Sequence, residues 1–258
     1  MADSPSIRRA RFAAGRAYAA LWRALDRGLQ RVAPGSERRA RQQPRLPAAP
    51  VHRRYGLRVG RPVDRFYIER FLERHADDVH GRTLELLDDS YTTRFGGDRV
   101  THADVLDLDP DNARATIRAD LETGDGVPRE AFDCFVLTQT ISITYDFAGA
   151  LDTAYAALAP GGVLLLTVPG ISHQAEPGGE RYPDHWRFTW RAIARLLGER
   201  FGDERVQVGA EGTVAACAAF LYGIPAAEVD PQSLDPHDPD YEMVIWARAV
   251  KPTEAGQA

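Results

Sequence analysis

The sequence contains a single lysine, Lys251, so arginine carries nearly all of its positive charge. Cysteine is almost as scarce. Cys134 and Cys217 both lie among apolar residues, where a free cysteine behaves as a small hydrophobic side chain. Two such residues cannot form a disulfide framework or a cysteine-rich metal cluster, so we expect no metal site. A reducing cytoplasm is the expected compartment.

Long apolar runs are also missing. No stretch approaches the roughly 20 residues that a membrane-spanning helix needs, so we expect none. Near the N-terminus, Arg16 and Arg23 interrupt any apolar core of a secretory signal. The chain has 258 residues and 44% apolar content, which is enough for one core with an appendage.

Charge is distributed unevenly along the chain. Residues 1–54 hold thirteen arginines against three acidic residues, whereas the whole chain has a net charge of -5. The acidic remainder argues against a general nucleic-acid binder, so no nucleic-acid partner is expected. Apolar residues recur at three- and four-residue steps over 5–33, which predicts a basic amphipathic helix, and 36–50 has the composition of a flexible linker. The helix could contact an anionic membrane at its inner face, bind a partner protein, or pack on the rest of the chain.

From residue 51 to residue 252 the sequence alternates between apolar strands and amphipathic helices. Strands are predicted at 82–87, 98–106, 115–121, 131–140, 162–170, 205–212 and 242–250. Helices are predicted at 62–79, 146–158 and 189–202. Continuous apolar strands alternating with helices indicate an α/β fold with a mostly parallel seven-stranded sheet and helices on both faces. Residues 253–258 are predicted to be a disordered tail.

Several stretches, taken in order, resemble one enzyme family. They are LELLDD (84–89), VTHADV (100–105), IRADLETG (117–124), FDCFVLTQT through LAPGGVLLLTVPG (132–170) and HWRFT (185–189). Together they resemble the Rossmann-like class I S-adenosylmethionine-dependent methyltransferases, and most closely the methyltransferase-11-like group found beside bacterial sugar-transfer genes. The resemblance implies S-adenosylmethionine as cofactor and a sheet whose final strand is reversed.

The resemblance also implies roles for individual residues. Glu85 would anchor the turn after the first strand or the methionine amino group, with Leu86 and Asp88 in the same turn. Asp104 would accept from the ribose hydroxyls and Asp120 from the adenine amino group, with Leu121 beside the ring. Thr138 and Gln139 end the fourth strand and would face the methionine portion.

The turn after the first strand departs from the family because it has no glycine. Aspartate tolerates left-handed backbone better than most residues, so Asp88 and Asp89 could form the turn, or could simply cap the next one. Their charge carries more information. Each like-charge contact with a pyrophosphate near 4 Å would cost about 1 kcal/mol in water and about 4 kcal/mol at an effective dielectric near 20. A sulfonium cofactor would be attracted instead.

The link between Asp104 and Asp120 is a second departure, because it is too short for the usual crossover helix. We predict a loop or a single turn there. The pattern DLDPDN (107–112) lacks the glycine and the later glutamate of a calcium loop, so we interpret it as a solvated turn.

Substrate chemistry is expected in the long irregular segment 170–188, which follows the fifth strand. A methyl transfer can need a base with a pKa near neutral, and histidine suits that role. His173 is the first candidate, and His185 with Asp184 is the second. Each could equally be a surface or packing residue. Trp186 and Phe188 are predicted to be core anchors of the next helix.

Three functions remain open from the sequence. The first is methyl transfer to a small-molecule or saccharide-linked acceptor. The second is a catalytically inactive methyltransferase fold that serves as a binding module in a glycan assembly complex, which the glycine-free turn would favour. The third is a nucleotide-dependent oxidoreductase, which the acidic turn and the absence of G-x-G-x-x-G argue against.

Overall fold

A computed structural model describes residues 47–174, 183–235 and 237–253 of the chain. The predictions of a basic helix at 5–33, of most of the linker and of the extreme C-terminal tail therefore lie outside the described residues. No helix within the described ranges is both long and apolar enough to cross a membrane.

The described residues form one six-stranded sheet. Its strands are β1 (Gly81–Leu86), β2 (Val100–Leu106), β3 (Phe132–Thr138), β4 (Leu158–Pro169), β5 (Val206–Glu211) and β6 (Val244–Val250). The strand order is β2-β1-β3-β4-β6-β5. The first four strands in this order are parallel, and β6 runs antiparallel to both β4 and β5. The predicted α/β class and the reversed final strand are confirmed.

Both faces of the sheet are covered, as its apolar strands predicted. On β4, Leu164 and Leu166 enter one apolar cluster, while Val163 and Leu165 enter the other. This alternation follows from the two-residue period of a strand. Buried Cys134 belongs to the second cluster and behaves as the expected small hydrophobic residue.

Five α-helices are present in the described ranges, beside shorter 3-10 and π-helical turns. They are α1 (Val63–Arg74), α2 (Phe147–Ala157), α3 (Trp190–Phe201), α4 (Val214–Tyr222) and the single turn α5 (Pro231–Leu234). Helices α2 and α3 cover one face, and α1 and α4 cover the other. Side-chain oxygens of Asp146, Thr189 and Thr213 cap α2, α3 and α4 at their N-termini.

The predicted strand at 115–121 is wrong, and the sheet has six strands in the described residues rather than seven. Only a single parallel bridge forms there, between Leu106 and Ile117. The Thr116 hydroxyl accepts from the Val105 amide at 3.0 Å, so a side chain takes the place of a strand carbonyl. Such local side-chain bonds compete with ladder formation. The preceding link contains no helix, as predicted.

Candidate active site

The turn after β1 is held by a buried carboxylate. Glu85 is 4% exposed, and its two oxygens accept from the amides of Tyr91 at 3.3 Å and Thr92 at 2.7 Å. Burial raises the pKa of Glu85 to about 7, although the two amide hydrogen bonds act in the opposite direction. Of its two predicted roles, Glu85 therefore has the contacts of a loop anchor.

In the turn after β1, a leucine takes the left-handed backbone conformation that glycine usually takes in tight turns. Leu87 has a φ of 68°, and the Asp88 amide donates to the Leu86 carbonyl at 2.8 Å, which closes a three-residue turn. The aspartates do not take this conformation. Asp88 instead accepts from the Ser90 amide at 2.9 Å, which is the capping alternative considered for it.

A second left-handed residue that is not glycine follows β3. Gln139 has a φ of 53°, and its amide donates to the Thr167 carbonyl of β4 at 2.7 Å. Leu87 and Gln139 thus lie just beyond the carboxyl ends of two adjacent parallel strands. Ligands in open α/β sheets bind at this edge, and backbone strain of this kind clusters at functional sites.

A cavity of about 640 Å³ opens at this edge, and we call it the acidic cavity. Among the described residues its acidic lining consists of Asp107, Asp109, Asp111, Asp120 and Glu122. No described lysine or arginine lines it. Three of the predicted cofactor residues, Leu86, Asp120 and Leu121, are part of its wall, and Leu121 is buried.

Asp104, which the family resemblance placed at the ribose hydroxyls, does not line the acidic cavity. It pairs with Leu84 in the middle of the sheet and accepts from Arg82 Nε and Thr116 Oγ1, both at 2.8 Å. Burial alone would raise its pKa, but the Arg82 and Thr116 hydrogen bonds outweigh that effect and lower it. Asp107, the first residue beyond β2, lines the cavity instead.

The segment 107–112 is a cavity wall rather than only a solvated turn. Asp107 and Asp109 each accept from the amide two residues later, at 3.0 and 2.9 Å. Asn112 Nδ2 donates to the Leu87 carbonyl and to Asp107 Oδ2, both at 2.8 Å. These bonds join the loop after β2 to the turn after β1. The described residues include no group of three or more acidic, histidine or cysteine side chains suited to a metal ion.

A smaller cavity of about 190 Å³ adjoins the first, and we call it the adjoining cavity. Ile143 lines both. The polar lining of the adjoining cavity includes Asp64, Arg65, Gln139, Asp184 and Arg187. Arg65 Nη1 also donates to the Tyr91 hydroxyl at 2.6 Å, so it connects this cavity with the turn after β1.

Asp64 has features of a proton acceptor that the sequence did not reveal. It lies in the first turn of α1, and its Oδ1 accepts from the Arg65 amide at 2.8 Å. Burial raises the pKa of its carboxyl above the ordinary value, against the opposing charge of Arg65. No ion pair joins it to another described residue. Nothing in the local sequence connects a residue before β1 with a cavity formed after β3.

Of the three residues predicted to be catalytic, Asp184 lines one of the two cavities, and His173 and His185 line neither. The His173 ring stacks on Tyr55 with centroids 3.9 Å apart, and His185 is exposed with its ring against Tyr145; neither lines the acidic cavity or the adjoining cavity. Asp184 lines the adjoining cavity in an ion pair with Arg187.

Three other side chains from the sequence predictions lie away from these two cavities. Thr138, the last residue of β3, lines neither of them. Phe188 is buried in the core, as predicted, and Trp186 packs against it.

Comparison with known proteins gives structural likeness without sequence likeness. No protein-family profile and no curated protein sequence matches the chain. A methyltransferase dependent on S-adenosylmethionine from Archaeoglobus fulgidus superimposes with a TM-score of 0.48 at 10% identity, covering 72% of this chain and 94% of its own. The N-methyltransferase NodS from Bradyrhizobium japonicum, in complex with S-adenosylhomocysteine, gives 0.47 at 14%, covering 74% and 89%. A methyltransferase from Mesorhizobium loti gives 0.47 at 16%, covering 73% and 98%. At such identities, the residues of the site itself must support any functional assignment.

Proposed function

We propose that the chain binds S-adenosylmethionine in the acidic cavity and transfers its methyl group to an acceptor in the adjoining cavity. The observation that carries this proposal is the charge of the acidic cavity. Five carboxyl-bearing residues line it at the edge of the sheet where cofactors bind, and no described basic residue does.

This charge discriminates between cofactors. Each phosphate–carboxylate contact near 4 Å would cost about 4 kcal/mol at an effective dielectric of 20. A dinucleotide would bring two such phosphates. S-adenosylmethionine has no phosphate and carries a sulfonium and an ammonium, so the same carboxylates attract it.

The lining residues fit the parts of this cofactor. Asp107 is suited to accept from the ribose hydroxyls, the role that the family resemblance implied for Asp104. Asp120 is suited to the adenine amino group, with Leu86 and Leu121 against the ring. Arg65 is a cation at the junction with the turn after β1, and it suits the methionine carboxylate.

The adjoining cavity suits a hydroxyl or amine acceptor. Bound nearby, the cofactor would supply an electrophilic methyl group. The acceptor's lone pair would form the new bond to carbon while the carbon–sulfur bond breaks toward sulfur. Asp64 would take the proton that the acceptor loses, and burial, which raises the pKa of its carboxyl, makes it a stronger base for that task.

The finer acceptor class, a saccharide-linked molecule, rests on the sequence resemblance. So does the inactive binding module in a glycan assembly complex. The feature that favoured inactivity was the missing glycine, and Leu87 fulfils the glycine's conformational role. Transfer assays with the labelled methyl donor and pools of amines, alcohols and sugars separate the two. Binding without transfer to any pool would favour the inactive module.

Isothermal titration calorimetry with S-adenosylmethionine and with NAD tests the cofactor. We expect Asp107→Asn and Asp120→Asn each to weaken S-adenosylmethionine binding by about 1–3 kcal/mol, because each loses a charged hydrogen-bond acceptor. Asp125→Asn is the matched control, since Asp125 is exposed and does not line the cavity. NAD binding as tight as that of S-adenosylmethionine would contradict the proposal.

A further inference from the structure

Residues 51–59, which we call the strap, connect α4 with the adjoining cavity. The amides of Val51 and His52 donate to the carbonyl of Tyr222, the last residue of α4, at 2.9 and 3.0 Å. Further along the strap, Tyr55 and Leu57 line the adjoining cavity. The strap is therefore both attached to the body of the fold and part of the proposed acceptor site.

The same strap borders another cavity, of about 350 Å³, which we call the arginine cavity. It is lined by His52, Arg53, Arg54, Gly56, Arg58 and Val59. Alternate residues over 54–58 thus line different cavities.

The strap's conformation is strained and firmly held. Arg54 and Tyr55 have φ values of 55° and 59°. Left-handed backbone costs on the order of 1 kcal/mol at such residues. Gly56 packs so closely on Gly223 that an added Cβ would lie 2.3 Å from its carbonyl oxygen. The surrounding contacts therefore fix a backbone that the sequence alone would avoid.

The arginines of the strap are not used by the fold. Most described arginines donate to a carboxylate, a carbonyl or a hydroxyl. The described arginines with no side-chain hydrogen bond or ion pair are Arg53, Arg54, Arg58, Arg129 and Arg191. Three of these five lie within six residues and line one cavity. Such a concentration of unpaired positive charge around one cavity favours the binding of an anion.

We infer that the arginine cavity binds a phosphate group carried by the methyl acceptor. A guanidinium group binds phosphate oxygens through two parallel hydrogen bonds, and a phosphate has enough oxygens for more than one such group. A single carboxylate can pair with two arginines, as Glu211 does with Arg70 and Arg74, so a phosphate with its additional oxygens suits a group of three better. That the phosphate belongs to the acceptor rests on the proposed function, because the other side of the strap lines the acceptor site.

Two sources could supply this phosphate: a soluble phosphate ester or the headgroup of a lipid. The strap also exposes Val51, Leu57 and Val59, at 58%, 59% and 48%. Apolar side chains beside arginines suit a lipid-linked phosphate. The chemistry recognised by the arginine cavity is the same in either case.

The test uses the full chain and two variants with equal charge changes. The first, R53Q/R54Q/R58Q, removes the three arginines of the arginine cavity, and we call it the strap variant. The control, R129Q/R191Q/R195Q, removes three exposed arginines elsewhere and keeps the basic N-terminal region. The probes are inorganic pyrophosphate, followed by calorimetry, and phosphatidylcholine vesicles with and without phosphatidylglycerol, followed by flotation.

We expect the strap variant to bind at least one probe about tenfold more weakly than the wild type, while the control changes little. Specific loss with pyrophosphate identifies a soluble ester, and loss with vesicles alone identifies a lipid headgroup. Three results would overturn the inference: equal weakening of probe binding in both variants, unchanged probe binding by the strap variant, or no probe binding by the wild type.

S-adenosylmethionine titration of the same proteins is an independent measurement. All three should bind the cofactor equally, which also shows that the variants fold. If the wild type binds pyrophosphate but not the cofactor, the proposed function fails and the phosphate site stands. If cofactor binding is normal but the strap variant behaves as the control does, only the phosphate site fails.

Discussion

Glu85 links the stability of the chain to pH in a way that can be measured. Its carboxyl group is buried beneath the turn after β1, and burial raises its pKa from 4.5 to about 7. Folding therefore favours the protonated form. The stabilising contribution is fully present below the unfolded pKa near 4.5, and it is lost as the pH rises through about 7.

The magnitude follows from the size of the shift. One pKa unit corresponds to about 1.4 kcal/mol, so the shift of Glu85 corresponds to about 3 kcal/mol. The glutamine of Glu85→Gln is neutral at every pH, and it resembles the protonated acid in shape. The unfolding free energy of the wild type should therefore fall relative to that of the variant by about 3 kcal/mol between acidic and mildly alkaline pH.

Urea unfolding of both proteins across this pH range measures the difference directly. Glu199→Gln is the control, because Glu199 is an exposed glutamate of α3 whose one ion pair with a described residue is to Arg195. Its difference from the wild type should stay nearly constant with pH. A wild type that gains stability over Glu85→Gln as the pH rises would refute the reasoning, since the Tyr91 and Thr92 amides would then outweigh burial.

Three further predictions follow from the placement of individual residues. Asp104→Asn should lower the unfolding free energy by about 1–3 kcal/mol in urea unfolding without changing S-adenosylmethionine affinity, because Asp104 pairs with Arg82 rather than with a ligand. Asp64→Asn should lower kcat by about 10²–10⁴ without changing cofactor affinity. His185→Ala should change neither kcat nor cofactor affinity. Equal kcat values for the wild type and Asp64→Asn would show that Asp64 is not the base. Leu87→Gly should be at least as stable as the wild type. Leu87→Val should be less stable than the wild type by about 1–2 kcal/mol, because a β-branched residue tolerates a φ of 68° poorly. The reverse order of stability in thermal unfolding would refute this account of the turn.

The regular part of the fold was predictable because its strands are apolar on both faces. The side chains of β3 and β4 alternate between two buried clusters, and this requires a continuous apolar run in the sequence. The same property hid helix α4 from sequence analysis. Its residues, VAACAAFLY, are nearly all apolar, so they show no amphipathic period from which a helix could be inferred.

Which residues line the acidic cavity was predictable only in part. The family resemblance pointed to Asp120 and Leu121, and both line the cavity although no strand forms at 115–121. Asp104 was expected there because its spacing from Glu85 matched the family pattern, but the end of β2 lies two residues later. Asp107 therefore reaches the cavity. A strand end depends on which amide and carbonyl groups find partners in the neighbouring chain, and sequence spacing does not determine that.

The glycine-free turn is explained by contacts that are distant in sequence. A left-handed leucine costs on the order of 1–2 kcal/mol. Two hydrogen bonds act on Leu87 itself, from its amide to the Leu106 carbonyl and from Asn112 Nδ2 to its carbonyl. Glu85 holds the residues that follow through two more. At about 1 kcal/mol each, these bonds offset the strain. Because Asn112 also binds Asp107, the contacts that stabilise the turn fix one wall of the acidic cavity as well. The strain at Leu87 and the position of the proposed ribose ligand Asp107 are therefore parts of one arrangement.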